Sequence, residues 1–158
     1  MIKVISPKAV DLDYLKQMEE IIVDNQFITY KTYEYKDEYF MMWVNNIRNN
    51  PSYKMIVYEE NKVVLGFLNY CVDNGNNWIS EIQVKDEFKN TGITTKLLRK
   101  YCELNSDVKV VIAHINPKNE LSKNVFLNHV GFKSVEGYDN RYKISMNDLM
   151  NYLKNKEK

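Results

Sequence analysis

Apolar residues recur at two periods along this chain, and each change of period marks a boundary. IKVIS, residues 2–6, reads as a short first strand. From Leu12 the positions Leu12, Leu15, Met18, Ile21 and Ile22 return every three or four residues, which predicts an amphipathic helix. A second helix is expected from about Asp37, with Phe40, Trp43, Val44 and Ile47 on one face. Asn50-Pro51 stops it, because proline disfavours helical backbone in the residue before it. MIVYEE and VVLGFLNYCV then read as a hairpin around Glu60-Asn61-Lys62, and NWISEIQV follows the turn-rich DNGN.

The period changes again after Val84. A helix is expected with Ile93, Leu97, Tyr101 and Leu104 on its apolar face. VKVVIAHI is apolar almost throughout, as a strand covered on both faces would be. Asn116-Pro117 breaks it, and a helix follows to about Val130, closed by Gly131. FKSVEG and RYKISM predict a last hairpin, and Asn147 or Asp148 is expected to cap a short terminal helix, DLMNYLKNK. The order is β-α-α-β-β-β-α-β-α-β-β-α. A three-strand meander followed by strand-helix-strand predicts an α/β (α+β) fold with a mixed, mostly antiparallel sheet, rather than a doubly wound one.

Composition narrows the function more than the fold. With 158 residues, 44% hydrophobic and 27% charged, and no internal repeat or linker, the chain predicts a single domain over 1–158. Its 22 basic and 21 acidic residues leave a net charge of +1, so no general field draws it to nucleic acid or to an anionic membrane. No apolar run approaches the ~20 residues of a membrane span, and MIKVISPKAVD lacks the apolar core of a signal peptide. Cys71 and Cys102 with His114 and His129 show no zinc spacing, so no metal is expected. Two thiols without a disulfide framework fit a reducing cytoplasm.

The chemistry is concentrated in VKDEFKNTGITTKLL, residues 84–98. The chain has only five glycines, and Gly92 stands where a strand end gives way to a helix. The first amides of a helix lack intrahelical acceptors, and with the helix dipole they favour an anion. Glycine lets a phosphate approach the backbone, and Lys89 adds charge. Lys89, Asn90, Thr91, Gly92, Ile93, Thr94 and Thr95 therefore form a candidate diphosphate cradle. There is no G-x-G-x-x-G for a dinucleotide and no G-K-[ST] for a nucleoside triphosphate.

This stretch resembles motif A of the Gcn5-related N-acetyltransferase superfamily, [RQ]-x-x-G-x-[GA], here K89-N90-T91-G92-I93-T94. INPKNELSKNVFLNHVGF, residues 115–132, is similar to motif B of the same superfamily, N-P-x-N-x-x-S…G-F. The element order matches along nearly the whole chain, with the terminal helix an addition. The resemblance implies acetyl-CoA, as cosubstrate, held between two splayed parallel strands, NWISEIQV and VKVVIAHI. The backbone of Ile82, Gln83 and Val84 would pair with the pantetheine arm like an added strand. Asn116 and Ser122 stand where the family contacts that arm or positions the next helix.

Three departures matter. Lys89 keeps the charge of the usual Arg or Gln position but loses the planar fork. Thr94 replaces a small residue. Many members carry a Tyr about four residues before G-F to protonate the departing thiolate; here that neighbourhood is Phe126-Leu127, on a helix one residue longer than the common pattern. A thiol of pKa ~8.5 leaves tolerably without an acid, and Tyr138 or Tyr142 in the last hairpin is a substitute to weigh.

The implied reaction is direct attack of an amine on the thioester. Glu81 is the candidate base, since an amine of pKa ~10.4 arrives protonated. Simple alternation puts Ile79, Glu81 and Gln83 on one face, and a bulge would change that parity. The backbone N–H near Gln83 or Val84 would meet the oxygen that gains charge. The acceptor wall falls on NQFITYKTYEYKDEYFMMW, where Phe27, Tyr30, Tyr33, Tyr35, Tyr39 and Trp43 with Glu34, Asp37 and Glu38 suit a cationic amine. Three readings stand: an N-acetyltransferase acting on a small-molecule or peptide amine, compatible with a homodimer; a coenzyme A-binding module with little turnover; and a nucleic-acid or partner-binding domain of the same topology, against which the balanced charge counts.

Overall fold

The computed structural model of the chain describes residues 1–6, 8–30, 37–73 and 76–156, without the side chains of 26–30, 37–40, 73 and 76. Its elements follow the predicted order. They are β1 (Ile2–Ile5), α1 (Leu12–Tyr30), α2 (Asp37–Asn49), β2 (Tyr53–Glu60), β3 (Val63–Asp73), β4 (Asn76–Val84), α3 (Ile93–Leu104), β5 (Val110–His114), α4 (Glu120–Lys123), β6 (Lys133–Ser134), β7 (Arg141–Ser145) and α5 (Met146–Asn155). A 3-10 turn, Asp86–Phe88, precedes α3, and a π-helical segment, Asn124–Val130, continues α4. The strands form one seven-stranded sheet in the order β1-β2-β3-β4-β5-β7-β6, antiparallel except between β4 and β5.

Each face of the sheet holds its own core. On one, Leu15, Met18, Ile21 and Ile22 of α1 and Val44 and Ile47 of α2 bury Met55, Val57 and Phe67. On the other, α3 and α5 bury Ile56, Leu68, Ile79, Val111 and Ala113. Leu97 and Tyr101 are fully buried there, each side chain contributing about 1.5–3 kcal/mol by leaving water. The face of α3 differs from expectation at its end: Leu98 and Cys102 are buried, while Leu104 is exposed. Gly66 seats this helix, since a Cβ there would stand 2.9 Å from Ile93 Cγ2 and 3.1 Å from the Gln83 carbonyl.

Two local expectations are corrected. Ser145, not Asn147 or Asp148, caps α5: its Oγ accepts from the Asp148 amide at 3.0 Å. VKVVIAHI is shorter and half-covered, with Val111 and Ala113 buried but Val110 and His114 exposed, because the described side chains of α1 and α2 pack on the β1–β4 half of their side. The helix after β5 is α-helical only in its first turn and continues as π-helix, in which the Gly131 amide reaches back five residues to the Phe126 carbonyl at 3.0 Å. Gly131 then closes the helix in the left-handed conformation, as expected.

Candidate active site

The parallel pair β4–β5 is joined at only two positions, Trp78↔Ile112 and Ile79↔Ala113. Beyond them the strands part. The next residue on β4 is Ser80, which has no opposite number on β3: Asn69 faces Glu81 and Tyr70 faces Ile79. This β-bulge bends and twists β4 where the gap opens. The extra residue also changes parity. Ile79 turns to the α3 core with Ile82 packed beside it, while Glu81 lies across from Asn69 on the α1 side. The simple alternation that put Ile79 and Glu81 on one face is thereby overturned.

The gap is a cleft of about 280 Å³, lined on β4 by Ile79 to Gln83 and on β5 and beyond by Ala113 to Asn116, Asn119, Ser122 and Phe126. From α1, Ile22 and Asn25 close one end. The Lys85 amide bonds the Leu65 carbonyl at 2.8 Å. In the same antiparallel register, Gln83 and Glu81 also bond toward β3, and the amides of Ile82 and Val84 face the gap. The Val84 carbonyl already accepts from Asn25 Nδ2 at 3.0 Å, which leaves its amide as the open group.

Glu81 sits half-buried in this cleft. Burial pushes its carboxyl up to about 7, opposed in part by a hydrogen bond from Gln83 Nε2 at 3.2 Å. Gln83 is itself held, because its Oε1 accepts from Asn25 Nδ2 at 2.8 Å. A chain from α1 through Gln83 thus orients the carboxylate. Tyr53, whose hydroxyl is 3.3 Å from Ser80 Oγ, lies on the same side; burial holds its phenol protonated above the usual range. Asn69 is fully buried, and its amide nitrogen and oxygen have no partner among the described residues. Polar groups therefore cluster beneath Glu81 on an otherwise apolar sheet face.

The turn ahead of α3 is built from backbone. Asn90 and Gly92 have positive φ, 64° and 90°, and Gly92 is the N-cap. Thr91 Oγ1 donates to the Phe88 carbonyl and ties the turn. The first bond of α3 runs from the Lys96 amide to the Gly92 carbonyl at 3.1 Å, so the amides of Ile93, Thr94 and Thr95 have no acceptor among the described residues. No atom stands within 4 Å of where a Gly92 Cβ would project. Lys89 is 3.1 Å from Asp86 in an exposed ion pair, and Lys96 lies over the Tyr58 ring.

The sequence matches the model of the acetyltransferase (GNAT) family over residues 15–132. The chain belongs to that family. Among solved structures it is similar to PaiA N-acetyltransferase from Thermoplasma acidophilum in complex with coenzyme A, at 15% identity and a TM-score of 0.67, covering 92% of this chain and 99% of that one. A GNAT acetyltransferase from Staphylococcus aureus has 18% identity, a TM-score of 0.70 and the same coverages. Ribosomal-protein-alanine N-acetyltransferase from Brucella melitensis has 19% identity and a TM-score of 0.62, again over 92% of this chain and 99% of that one. At such identities the likeness is one of fold. No curated protein matches the sequence.

In this GNAT-family chain motif B lines the cleft, whereas the motif A turn, Lys89 to Thr95, contributes none of its lining residues and follows the far end of β4. Asn116 and Ser122 both line the cleft. Asn116 Oδ1 accepts from the Lys118 amide at 2.9 Å, shaping the turn into α4, and Asn119 caps that helix by accepting from the Ser122 amide at 3.1 Å. Phe126 lines the cleft at the motif B position and packs edge-on against Phe132. Tyr138 is exposed under the Arg141 guanidinium, and the buried Tyr142 donates to the Asp139 carbonyl at 3.3 Å; neither lines the cleft. Of the predicted acceptor wall, Trp43 packs half-buried against the α1–α2 core, while Phe27, Tyr30, Tyr33, Glu34, Tyr35, Asp37, Glu38 and Tyr39 lie outside the described side chains. Sequence reasoning missed Asn25, which is one polar residue in a helical pattern, and Ser80, whose effect exists only in the strand pairing.

No helix among the described residues is long and apolar enough to cross a membrane. Among the same residues, no group of three metal-ligating side chains comes together.

Proposed function

We propose that this chain is a single-domain, acetyl-CoA-dependent N-acetyltransferase that acts on a primary amine. The observation that carries the reading is the half-buried Glu81 carboxyl, raised to about 7, beside a gap in the sheet lined by open amides. The donor fits the groups present. The acceptor-free amides of Ile93 to Thr95 and the open space at Gly92 suit a pyrophosphate, with Lys89 and the backbone of Asn90 and Thr91 at its side. The amides of Ile82 and Val84 suit an extended arm laid along β4.

Acetyl-CoA supplies a thioester. The amine forms a C–N bond to the acetyl carbon, the C–S bond breaks, and the ammonium proton passes to Glu81. A carboxylate of pKa about 7 is ionised in a large share of molecules at neutral pH and still basic enough to accept it. No tyrosine lines the cleft among the described residues, and a sulfur leaving as thiolate does so at a cost its pKa of ~8.5 makes tolerable. The buried thiols of Cys71 and Cys102 suit a reducing cytoplasm.

Phe126 at the motif B position favours one second reading, a coenzyme A-binding module with little turnover. Two measurements decide. Acetyl-CoA is expected to raise the melting temperature, and millimolar ligand without a shift would remove both readings. Release of free thiol across an amine panel then marks the enzyme, whereas silence despite tight binding leaves the module.

A further inference from the structure

Among the described residues, the sheet is unevenly covered on its α1 side, and the part they leave open adjoins the cleft. Val111 and Ala113 of β5 turn to the α3 core; Ile112 and His114 turn the other way, level with Trp78 on β4 and Arg141 on β7. Trp78, Ile112, His114 and Arg141 line a groove of about 220 Å³. His114 also lines the cleft that holds Glu81, so the two spaces adjoin at that residue. The Trp78 and His114 rings stack, 6.4 Å apart and 16° from parallel, into a flat apolar floor. Arg141 stands at its margin. Its guanidinium lies 4.0 Å over the Tyr138 ring and has no carboxylate partner among the described residues. Lys143, two residues on, faces the same way and is exposed. Partial burial of the imidazole and the neighbouring Arg141 hold His114 below the usual range, which disfavours a charge on it.

We infer that this groove is the acceptor subsite and that it selects an amine whose far end carries a carboxylate. The inference rests on the acetyltransferase reading above. Glu81 receives the ammonium end, the stem crosses the Trp78–His114 floor, and the Arg141 fork takes the carboxylate. The strand order sets the length. β4 and β7 are separated by β5, two strand spacings or roughly 10 Å, so the two charged ends stand several bonds apart, farther than in an α-amino acid. A groove with a positive margin disfavours a diamine of the same length, whose second ammonium would meet Arg141.

The test compares ε-aminocaproate, hexamethylenediamine and n-hexylamine, which differ in the far end alone. The wild type is expected to prefer ε-aminocaproate over both by about tenfold in kcat/KM, the scale of one charge-assisted hydrogen bond, through KM. Arg141→Ala brings the three amines to within about twofold of one another, and Arg141→Glu reverses the order in favour of the diamine. A wild type that prefers the diamine, or an Arg141→Ala protein that keeps the wild-type ratios, overturns the inference. A readout without turnover separates it from the parent reading. In a Trp43→Phe background, ε-aminocaproate with coenzyme A is expected to change Trp78 fluorescence saturably, and Arg141→Ala to abolish the change. No saturable change, whatever acetyl-CoA does to the melting temperature, refutes the subsite itself.

Discussion

The turn ahead of α3 and the β4 wall of the cleft are made in different ways. The turn from Lys89 to Thr95 offers main-chain amides, positioned by Gly92 at φ 90° and by the seat of Ile93 on Gly66. The β4 wall offers one side chain, Glu81, whose direction depends on an extra residue in the strand and whose orientation depends on Gln83 and Asn25. A backbone site tolerates exchange of its side chains and fails when its dihedrals change. A side-chain site fails when one atom is replaced. Damage to the turn should therefore appear in donor affinity, and damage at Glu81 in the chemical step.

The sharpest way to break this contrast is Glu81→Gln. We expect kcat to fall by about 10²–10⁴, the usual contribution of a general base, while the acetyl-CoA Kd by calorimetry stays within about twofold. In the wild type, kcat/KM should rise with pH through about 7 as the carboxyl ionises; a flat wild-type profile would exclude it as base. Stability carries the opposite sign. Because the folded pKa lies above the unfolded one, Glu81's contribution is fully present below its ordinary value of 4.5 and is lost as pH rises to about 7. At pH 8 (a value above both), Glu81→Gln should melt higher than the wild type.

Deleting Ser80 comes next in size. Ile79 would still face Tyr70 and Glu81 would still face Asn69, so both faces of β4 keep their residues while the bulge is gone. A straighter β4 should narrow the gap and weaken donor pairing at Ile82 and Val84. Two hydrogen bonds of about 1 kcal/mol each predict roughly thirtyfold weaker acetyl-CoA binding, with the circular dichroism of the fold retained. Unaltered affinity would show that the bulge does not open the site.

Gly92→Val attacks the turn by strain, since there is room for the side chain but not for its backbone angle. A left-handed conformation costs a β-branched residue about 1–2 kcal/mol; the melting temperature should drop and acetyl-CoA binding weaken by about tenfold. Thr94→Ala, by contrast, leaves the amides in place, and its Kd should move by less than about threefold. Smallest of all is Tyr138→Phe. With the phenol exposed under Arg141, kcat should change by less than about threefold, against the ~10²–10⁴ of a lost general acid.

What could be read in advance follows the same division. The elements, the mixed sheet and the glycine turn ahead of α3 were legible, because helical and strand periods and a glycine before a helix are local properties of the chain. The cap of α5 was missed by two or three residues, since Ser145, Asn147 and Asp148 are all competent caps and the end of β7 decides between them. The exposed side of β5 was missed because apolar letters report what a strand tolerates, not what covers it. Val110 is 47% exposed for want of a helix over that half of the sheet.

By itself the sequence determined the order of elements, the site of the αL glycine and the two family motifs, all set by interactions within a few residues of backbone. Tertiary structure alone decided that Ser80 has no partner on β3, that Glu81 therefore faces α1 with its pKa raised, and that the groove at Trp78, His114 and Arg141 adjoins the same cleft. Those outcomes depend on register and on burial by distant segments, and a strand does not encode in its own residues which neighbour it will pair with or what will lie above it.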